Sequence, residues 1–169
     1  MKKKKLLLIA LLLVGAASSF AAKVDTLLVK SPTMNKDIKV VVVTPDAALG
    51  KKATACPTVY RLHGFGGHAK TWIEIKPNLP QIADEKGIIF VCPDGKNSWY
   101  WDSPENPAYR YETFVTSELV KYTDGNYATI PDRKARAISG LSMGGHGALW
   151  SAIRHKDVFG AAGSMSGGV

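Results

Sequence analysis

A serine stands at the apex of a glycine-rich segment, residues 140–145 (GLSMGG), between a short apolar run and a longer amphipathic one. The run 135–139 is typical of a buried strand, and the run 143–155 repeats apolar residues at helical spacing. A sharp turn from strand to helix would hold the Ser142 hydroxyl clear of its own backbone, with Gly140 and Gly144 where a Cβ would clash. This arrangement predicts Ser142 as a nucleophile. The alternative, an incidental glycine-rich turn, is weakened by both flanks and by a second motif.

The second motif is residues 62–67 (LHGFGG), at the carboxyl end of a predicted strand over 58–62. Glycines let such a loop bring a backbone N–H beside the nucleophile. We predict that the amides of Met143 and Phe65 form an oxyanion hole, since the helix that begins at Met143 also directs its positive dipole end at the site. We call residues 63–67 the oxyanion loop. His63 is expected to brace this loop as a structural imidazole, in preference to a catalytic role.

Apolar, branched runs alternate with helix-like runs through the rest of the chain. Predicted strands cover 24–29, 38–44, 58–62, 88–92, 135–139 and 159–165, and predicted helices cover 79–86, 111–122 and 143–155. Such alternation predicts an α/β fold, with a mostly parallel sheet flanked by helices. Cys56 begins one of these strands and Cys92 ends another, which predicts two buried free thiols rather than a disulfide.

Residues 1–22 are typical of a secretory signal peptide, because a run of lysines at 2–5 precedes an apolar stretch at 6–14 and small residues follow at 19–22. A membrane anchor is the alternative, but the apolar stretch is shorter than the roughly 20 residues of a spanning helix. We therefore predict a secreted or periplasmic protein that has no membrane contact after signal removal. Residues 23–169 are expected to belong to a single domain.

The formal charge of +8 arises from 22 basic and 14 acidic residues, and four of the basic ones lie in the signal peptide. The remaining positive excess is scattered along the chain, which argues against binding to nucleic acid. The sequence has no C-x-x-C motif and no His/Cys spacing of a metal site, so we predict neither a metal nor a cofactor.

Five aromatic residues crowd into positions 99–111, just after a Pro-Asp-Gly turn at 93–95. Trp99, Tyr100 and Trp101 are predicted to bind substrate, because loops at the carboxyl ends of parallel strands hold ligands and flat aromatic faces suit sugars or aryl groups. Local packing beneath a long loop remains an open alternative.

Other titratable residues carry weaker signals. His146 is expected to pack against its helix neighbours, and His155 to lie in solvent near the negative end of the helix dipole. His68 is interpreted as a loop residue. Asp94 and Glu118 are interpreted as ordinary surface or capping residues.

Together, residues 59–67, 93–104, 111–119 and 136–149 resemble the esterase D-like branch of the α/β-hydrolases. That branch includes feruloyl and acetyl-xylan esterases, S-formylglutathione hydrolases, tributyrin esterases and the mycobacterial mycolyltransferases. The resemblance covers nearly all of the chain after the signal peptide. It implies an α/β-hydrolase fold in which Ser142 is the nucleophile and Met143 and Phe65 supply the oxyanion donors.

In this fold the catalytic triad runs serine, acid, histidine along the chain. After Ser142 the sequence offers only Asp157, His146 and His155, and the resemblance places the acid and base after later strands. We therefore expect an amino-terminal fragment, truncated after about the sixth strand, that lacks the triad acid and base. Such a fragment is expected to expose its last strand, to be marginally stable and aggregation-prone, and to be inactive as an enzyme.

These features predict a serine esterase that forms an acyl-enzyme on Ser142 and removes acetyl or feruloyl groups from polysaccharide. Its partner would be a small ester or an acylated polysaccharide. Transfer of the acyl group to a sugar is one alternative, and a non-catalytic carbohydrate-binding relic of the fold is another. The oligomeric state is left open.

Overall fold

The computed structural model describes residues 22–168. Its main elements are β1 Lys23–Ser31, β2 Lys36–Thr44, β3 Thr58–Leu62, α1 Thr71–Ile75, α2 Leu79–Lys86, β4 Ile89–Pro93, α3 Tyr111–Thr113, α4 Leu119–Asn126, β5 Arg136–Leu141, α5 Met143–Arg154 and β6 Ala161–Met165. One turn of π-helix, Phe114–Glu118, joins α3 to α4. The predicted signal peptide lies outside the described residues except for Ala22.

The strands form one six-stranded sheet in the order β1-β2-β4-β3-β5-β6. The four strands from β4 to β6 in this order run parallel, whereas β1 and β2 form an antiparallel hairpin that pairs with β4. The mostly parallel sheet predicted from the alternation of elements is therefore confirmed. Its parallel strands bring the loops after β3, β4 and β5 to one edge, where ligands bind in such sheets.

Helices lie on both faces of the sheet, as the side chains of β2 show. Side chains alternate along a strand, so Val40 and Val42 belong to one buried cluster while Val41 and Val43 belong to the other. The first cluster also contains residues of α3, α4 and α5, and the second contains residues of α1 and α2. The chain between residues 22 and 168 thus forms three layers, helices on each side of one sheet.

The predicted strands and helices match the structure to within two residues at their ends, apart from three larger differences. Helix α1 is not predicted from the sequence, the helix predicted over 111–122 is interrupted by the π-turn, and α4 continues to Asn126. Cys56 and Cys92 are buried and free, as predicted. No helix within residues 22–168 has the length and apolar character needed to cross a membrane.

Strand β6 forms one edge of the sheet and is exposed along all five of its residues. It pairs with β5 from Ala137↔Ala161 to Leu141↔Met165. The exposure expected for this strand is therefore observed.

Candidate active site

Ser142 lies at a sharp corner between β5 and α5. It has φ 53° and ψ −118°, a conformation that L-residues rarely adopt, and its side chain is exposed. Its amide donates to the carbonyl oxygen of Met165 at 2.8 Å, and its carbonyl accepts from the amide of His146 at 3.0 Å. The strained serine is thus held by β6 on one side and by the first turn of α5 on the other.

The two glycines that flank Ser142 make room for this corner. A Cβ on Gly140 would overlap the backbone of Gly144, and a Cβ on Gly144 would overlap the carbonyl of Leu62 at the end of β3. Helix α5 therefore packs directly against the strands through backbone contacts. The steric reason inferred from the sequence for glycine at these two positions holds in the structure.

The oxyanion loop lies beside the nucleophile position. A Cβ on Gly64 would stand 3.5 Å from the Cβ of Ser142 and 3.3 Å from the carbonyl oxygen of Leu141. Within the described part of the chain, the amides of Phe65 and Met143 donate no hydrogen bond, so both remain available to a ligand oxygen. The Phe65 side chain is 66% exposed, so only its backbone is placed for this role.

The His63 side chain holds the oxyanion loop in place through two hydrogen bonds to the main chain. Its ring is buried, with Nδ1 2.7 Å from the Gly64 carbonyl oxygen and Nε2 2.9 Å from the Gly95 amide nitrogen. Nδ1 therefore carries the proton and donates to Gly64, while Nε2 accepts from Gly95. With both ring nitrogens used in this way, the structural role predicted for His63 is confirmed.

Asp94 is buried rather than on the surface, and it caps the turn after β4 by accepting from the Lys96 amide at 2.9 Å. It is only 6% exposed, lies 3.6 Å from His63 Nε2 and accepts from the Lys96 ammonium at 2.8 Å. Burial opposes its charge, but the hydrogen bonds and positive charge of Lys96 outweigh burial and hold the pKa of Asp94 well below its usual range. The position of Asp94 at the carboxyl end of β4 was the signal that could have identified it.

Tyr100 also departs from its predicted role. Its ring is fully buried, and its hydroxyl contacts the main chain of His63. A Cβ on either Gly95 or Gly147 would collide with this ring. Because no face of Tyr100 is open to a ligand, the assignment of Tyr100 to substrate binding is wrong, and the packing alternative holds for it.

Trp99 and Trp101 remain exposed and line a cavity of about 310 Å³ together with His146. The His146 ring contacts Trp99 edge-on at a centroid distance of 5.4 Å and stacks on Trp150 at 6.1 Å. The packing role predicted for His146 is confirmed. The two tryptophans have the exposure that a binding role would need.

Glu112 forms a buried polar cluster that the sequence did not reveal. Its carboxylate accepts from Trp150 Nε1 at 2.8 Å and Arg154 Nε at 2.7 Å, and it lies 2.8 Å from His155 Nε2. His155 does lie at the end of α5, but its side chain is only 31% exposed and contacts Glu112 instead of lying in solvent as expected. No local pattern marks Glu112, because its partners follow it by about 40 residues. Glu118 does cap a turn, since it accepts from Ser31 Oγ and from the Thr33 amide.

No general base accompanies Ser142 within residues 22–168. His63 and His155 are engaged elsewhere, His146 Nδ1 lies 2.9 Å from the Gly168 carbonyl oxygen, and His68 is exposed near Glu74. In the same range, no group of three or more His, Cys, Asp or Glu side chains could hold a metal ion. Among the described residues, the site therefore brings together a strained serine and two amides without a hydrogen-bond partner, but no proton acceptor.

The sequence model of a family described as "Putative esterase" matches residues 31–169. One curated relative is an acetyl esterase of Caldicellulosiruptor saccharolyticus, which is 30% identical over 60% of this chain and 38% of the relative. Another is the diacylglycerol acyltransferase/mycolyltransferase Ag85A of Mycobacterium leprae, which is 35% identical over 85% of this chain and 44% of the relative. The chain thus spans about half or less of the length of the curated relatives it matches.

A solved ferulic acid esterase has a similar structure, with a TM-score of 0.76 and 32% identity over 88% of this chain and 61% of that chain. The α/β-hydrolase fold and the resemblance to feruloyl and acetyl esterases, both inferred from the motifs, are confirmed by these comparisons.

Proposed function

Because the chain belongs to the esterase family whose model matches residues 31–169, we propose that Ser142 attacks the carbonyl carbon of a carboxylic ester. A bond forms between Ser142 Oγ and that carbon, and the ester C–O bond breaks, so that the alcohol leaves with the proton taken from the serine. Water then hydrolyses the acyl-enzyme and releases the acid. The observation that carries this proposal is the strained, exposed Ser142 beside the amides of Met143 and Phe65, which donate no hydrogen bond within residues 22–168.

The two amides would stabilise the negative charge that develops on the carbonyl oxygen. Met143 opens α5, so its N–H also points along the positive end of the helix dipole. Each such donor contributes about 2.7–4 kcal/mol to the stability of the transition state in comparable sites. The proton acceptor is not assigned to any described residue, and we expect this chain alone to react slowly.

Labelling with a fluorophosphonate tests the nucleophile. The purified chain should take up one phosphonyl group slowly, and peptide mass spectrometry should locate it on Ser142. Ser142→Ala should abolish labelling, while Ser117→Ala, which changes a half-buried serine on the π-turn, should leave it unchanged. Labelling of Ser142→Ala at the wild-type rate would overturn the proposal.

The substrate that we propose is an acetyl or feruloyl ester of a polysaccharide. The names of two similar proteins, an acetyl esterase and a ferulic acid esterase, support these acyl groups. The exposed rings of Trp99 and Trp101 support an aryl group or a sugar at the adjacent cavity. A secreted or periplasmic location fits such a substrate, and residues 1–22 carry the sequence pattern of a secretory signal.

Acyl-enzyme formation from p-nitrophenyl esters separates the two acyl groups. We expect Trp101→Ala to slow feruloylation of Ser142 more than acetylation, with Trp101→Phe retaining most of the feruloylation rate. Equal losses for both esters would exclude Trp101 as an aryl platform. Intact-mass measurement of the adduct follows either reaction without requiring turnover.

Transfer of the acyl group to an alcohol is a second candidate, because the M. leprae relative is named as an acyltransferase and is 35% identical. An alcohol and water would compete for the same acyl-enzyme. Adding a sugar acceptor to the acylated chain should then produce the acylated sugar, whereas a hydrolase would yield only free acid.

A further inference from the structure

A groove of about 340 Å³ opens between the start of β2 and the loop that follows β4. Lys36 and Lys39 line it from β2, Lys96 lines it from the loop, and Tyr109 and Tyr111 line it from the segment that enters α3. None of these residues lines the cavity beside Trp99 and Trp101. Its volume lies within the roughly 300–1,000 Å³ of small-molecule sites.

Two lysine ammonium groups converge on this groove. Lys36 Nζ lies 5.1 and 4.8 Å from the ring centroids of Tyr109 and Tyr111 and donates to the Ala108 carbonyl. Burial, followed by the positive charge of Lys96, lowers the pKa of Lys36. Lys36 and Lys96 both line the groove, so an anion bound there would meet a positive charge from β2 and another from the loop after β4.

The acidic side chains of the groove do not balance its lysines. Three lysines face Asp37 and Asp94, and Asp94 is already paired with Lys96 at 2.8 Å. Asp37 is exposed at the start of β2. A net positive charge is left at the groove, which favours an anionic ligand.

The rest of the lining suits a sugar. Tyr109 is 39% exposed and Leu28 is 61% exposed, so the groove has an apolar rim. The hydroxyl of Tyr111 is buried and has no hydrogen-bond partner among residues 22–168. The Tyr109 ring suits the apolar face of a sugar, and the Tyr111 hydroxyl suits a sugar hydroxyl. The lysine ammonium groups suit the carboxylate of an acidic sugar.

We propose that this groove binds an acidic sugar, with its carboxylate between Lys36 and Lys96 and its ring against Tyr109. The choice of a sugar as the carrier of the carboxylate rests on the proposed function, whereas the anion site does not. Asp94 borders the groove and lies 3.6 Å from His63 Nε2. The groove is therefore next to the support of the oxyanion loop but separate from the amides that face Ser142.

Titration of the purified chain with glucuronate, glucose and inorganic phosphate, followed by calorimetry or by amide shifts, tests the site. Glucuronate should bind saturably, and glucose and phosphate should each bind more weakly. Lys36→Met and Lys96→Met should each weaken glucuronate binding about ten-fold, as for loss of one charge-assisted hydrogen bond. Lys121→Met makes the same charge change outside the groove and should leave the affinity unchanged.

Two further variants separate glucuronate binding from folding and from the ester chemistry. Tyr111→Phe removes a hydroxyl that has no partner among the described residues, so the fold should persist while glucuronate binding weakens several-fold. Ser142→Ala should bind glucuronate as the wild type does, so a failure of the proposed ester chemistry would leave this result standing. Absence of saturable binding, equal binding of glucose, or tighter binding of phosphate would each overturn the acidic-sugar site.

Discussion

The hydroxyl of Tyr100 lies 3.0 Å from the main-chain nitrogen of His63 and 3.2 Å from its carbonyl oxygen. One side chain thus accepts from the N–H and donates to the C=O of the residue that begins the oxyanion loop. The Tyr100 ring fills the space left by the missing side chains of Gly95 and Gly147. The oxyanion loop, the loop after β4 and helix α5 therefore meet at one fully buried residue.

Tyr100→Phe should destabilise the chain and disorder the oxyanion loop. The substitution leaves a buried N–H and a buried C=O of His63 without their partner, at a cost of about 1–3 kcal/mol in the free energy of unfolding. Urea unfolding measures the loss, and the rate of fluorophosphonate labelling of Ser142 should fall with it.

Tyr109→Phe is the matched control, because Tyr109 is partly exposed and its hydroxyl makes no hydrogen bond within residues 22–168. Its unfolding midpoint should equal that of the wild type. If Tyr100→Phe behaves as Tyr109→Phe does in both assays, Tyr100 does not brace the loop.

The glycines around Ser142 should resist even the smallest substitution. A Cβ at Gly144 would overlap the carbonyl of Leu62, so Gly144→Ala must push α5 away from β3. We expect a loss of at least about 2 kcal/mol in the free energy of unfolding, in the range of overpacked cores, together with loss of Ser142 labelling. Thermal melting and the labelling assay report the two effects separately.

Gly125→Ala serves as the control for Gly144→Ala, because a Cβ has room at Gly125. Gly125 lies within α4, and a Cβ there would meet nothing within 4 Å. Alanine should therefore stabilise the chain by about 0.5–1 kcal/mol through its better helix propensity. Destabilisation by Gly125→Ala as large as that by Gly144→Ala would show that glycine replacement, and not overlap at the elbow, is responsible.

The sequence predicts the elbow well because the requirement is local. Strand, serine, flanking glycines and helix lie within about 20 consecutive residues, and sterics alone select their types. Which aromatic residues of the segment 99–111 are buried and which are exposed is not decided by local sequence. Trp99 and Tyr100 both adopt positive φ, at 57° and 58°, so neighbours in sequence turn one ring into the core and leave the other exposed.

Burial of Glu112 could not be predicted for a related reason. Its carboxylate is satisfied by three residues of the α5 region, whereas Asp94 is paired locally with Lys96. A single acidic residue gives no sign of such pairing until the sheet order and helix packing are known. The fold class follows from the pattern of elements, whereas these contacts depend on tertiary placement.

The Glu112 cluster ties α3 to the far end of the nucleophile helix. Its carboxylate binds Trp150, Arg154 and His155, and the Arg154 guanidinium also lies 4.9 Å from the Trp150 ring centroid. Trp150 in turn stacks on His146 beside the tryptophan cavity. The cluster should therefore stabilise α5 without contacting Ser142.

This cluster should make stability depend on acid pH. Burial opposes the charge of Glu112, but hydrogen bonds from Trp150, Arg154 and His155 outweigh burial and lower its pKa. A carboxylate whose pKa is lower in the folded state stabilises the fold above its unfolded pKa, about 4.3, and this contribution disappears as pH falls through the folded pKa. The wild type should lose more stability than Glu112→Gln between pH 6 and pH 3.

At pH 7, Glu112→Gln should lower the free energy of unfolding by about 2 kcal/mol, the usual contribution of hydrogen bonds to a charged group. Glu105→Gln, which alters an exposed carboxylate without a side-chain hydrogen bond within residues 22–168, should change neither the stability nor its slope with pH. Urea unfolding of the three proteins at each pH measures both quantities. Parallel pH profiles for the wild type and Glu112→Gln would mean that other carboxylates, such as Asp94 with its lowered pKa, carry the acid sensitivity instead.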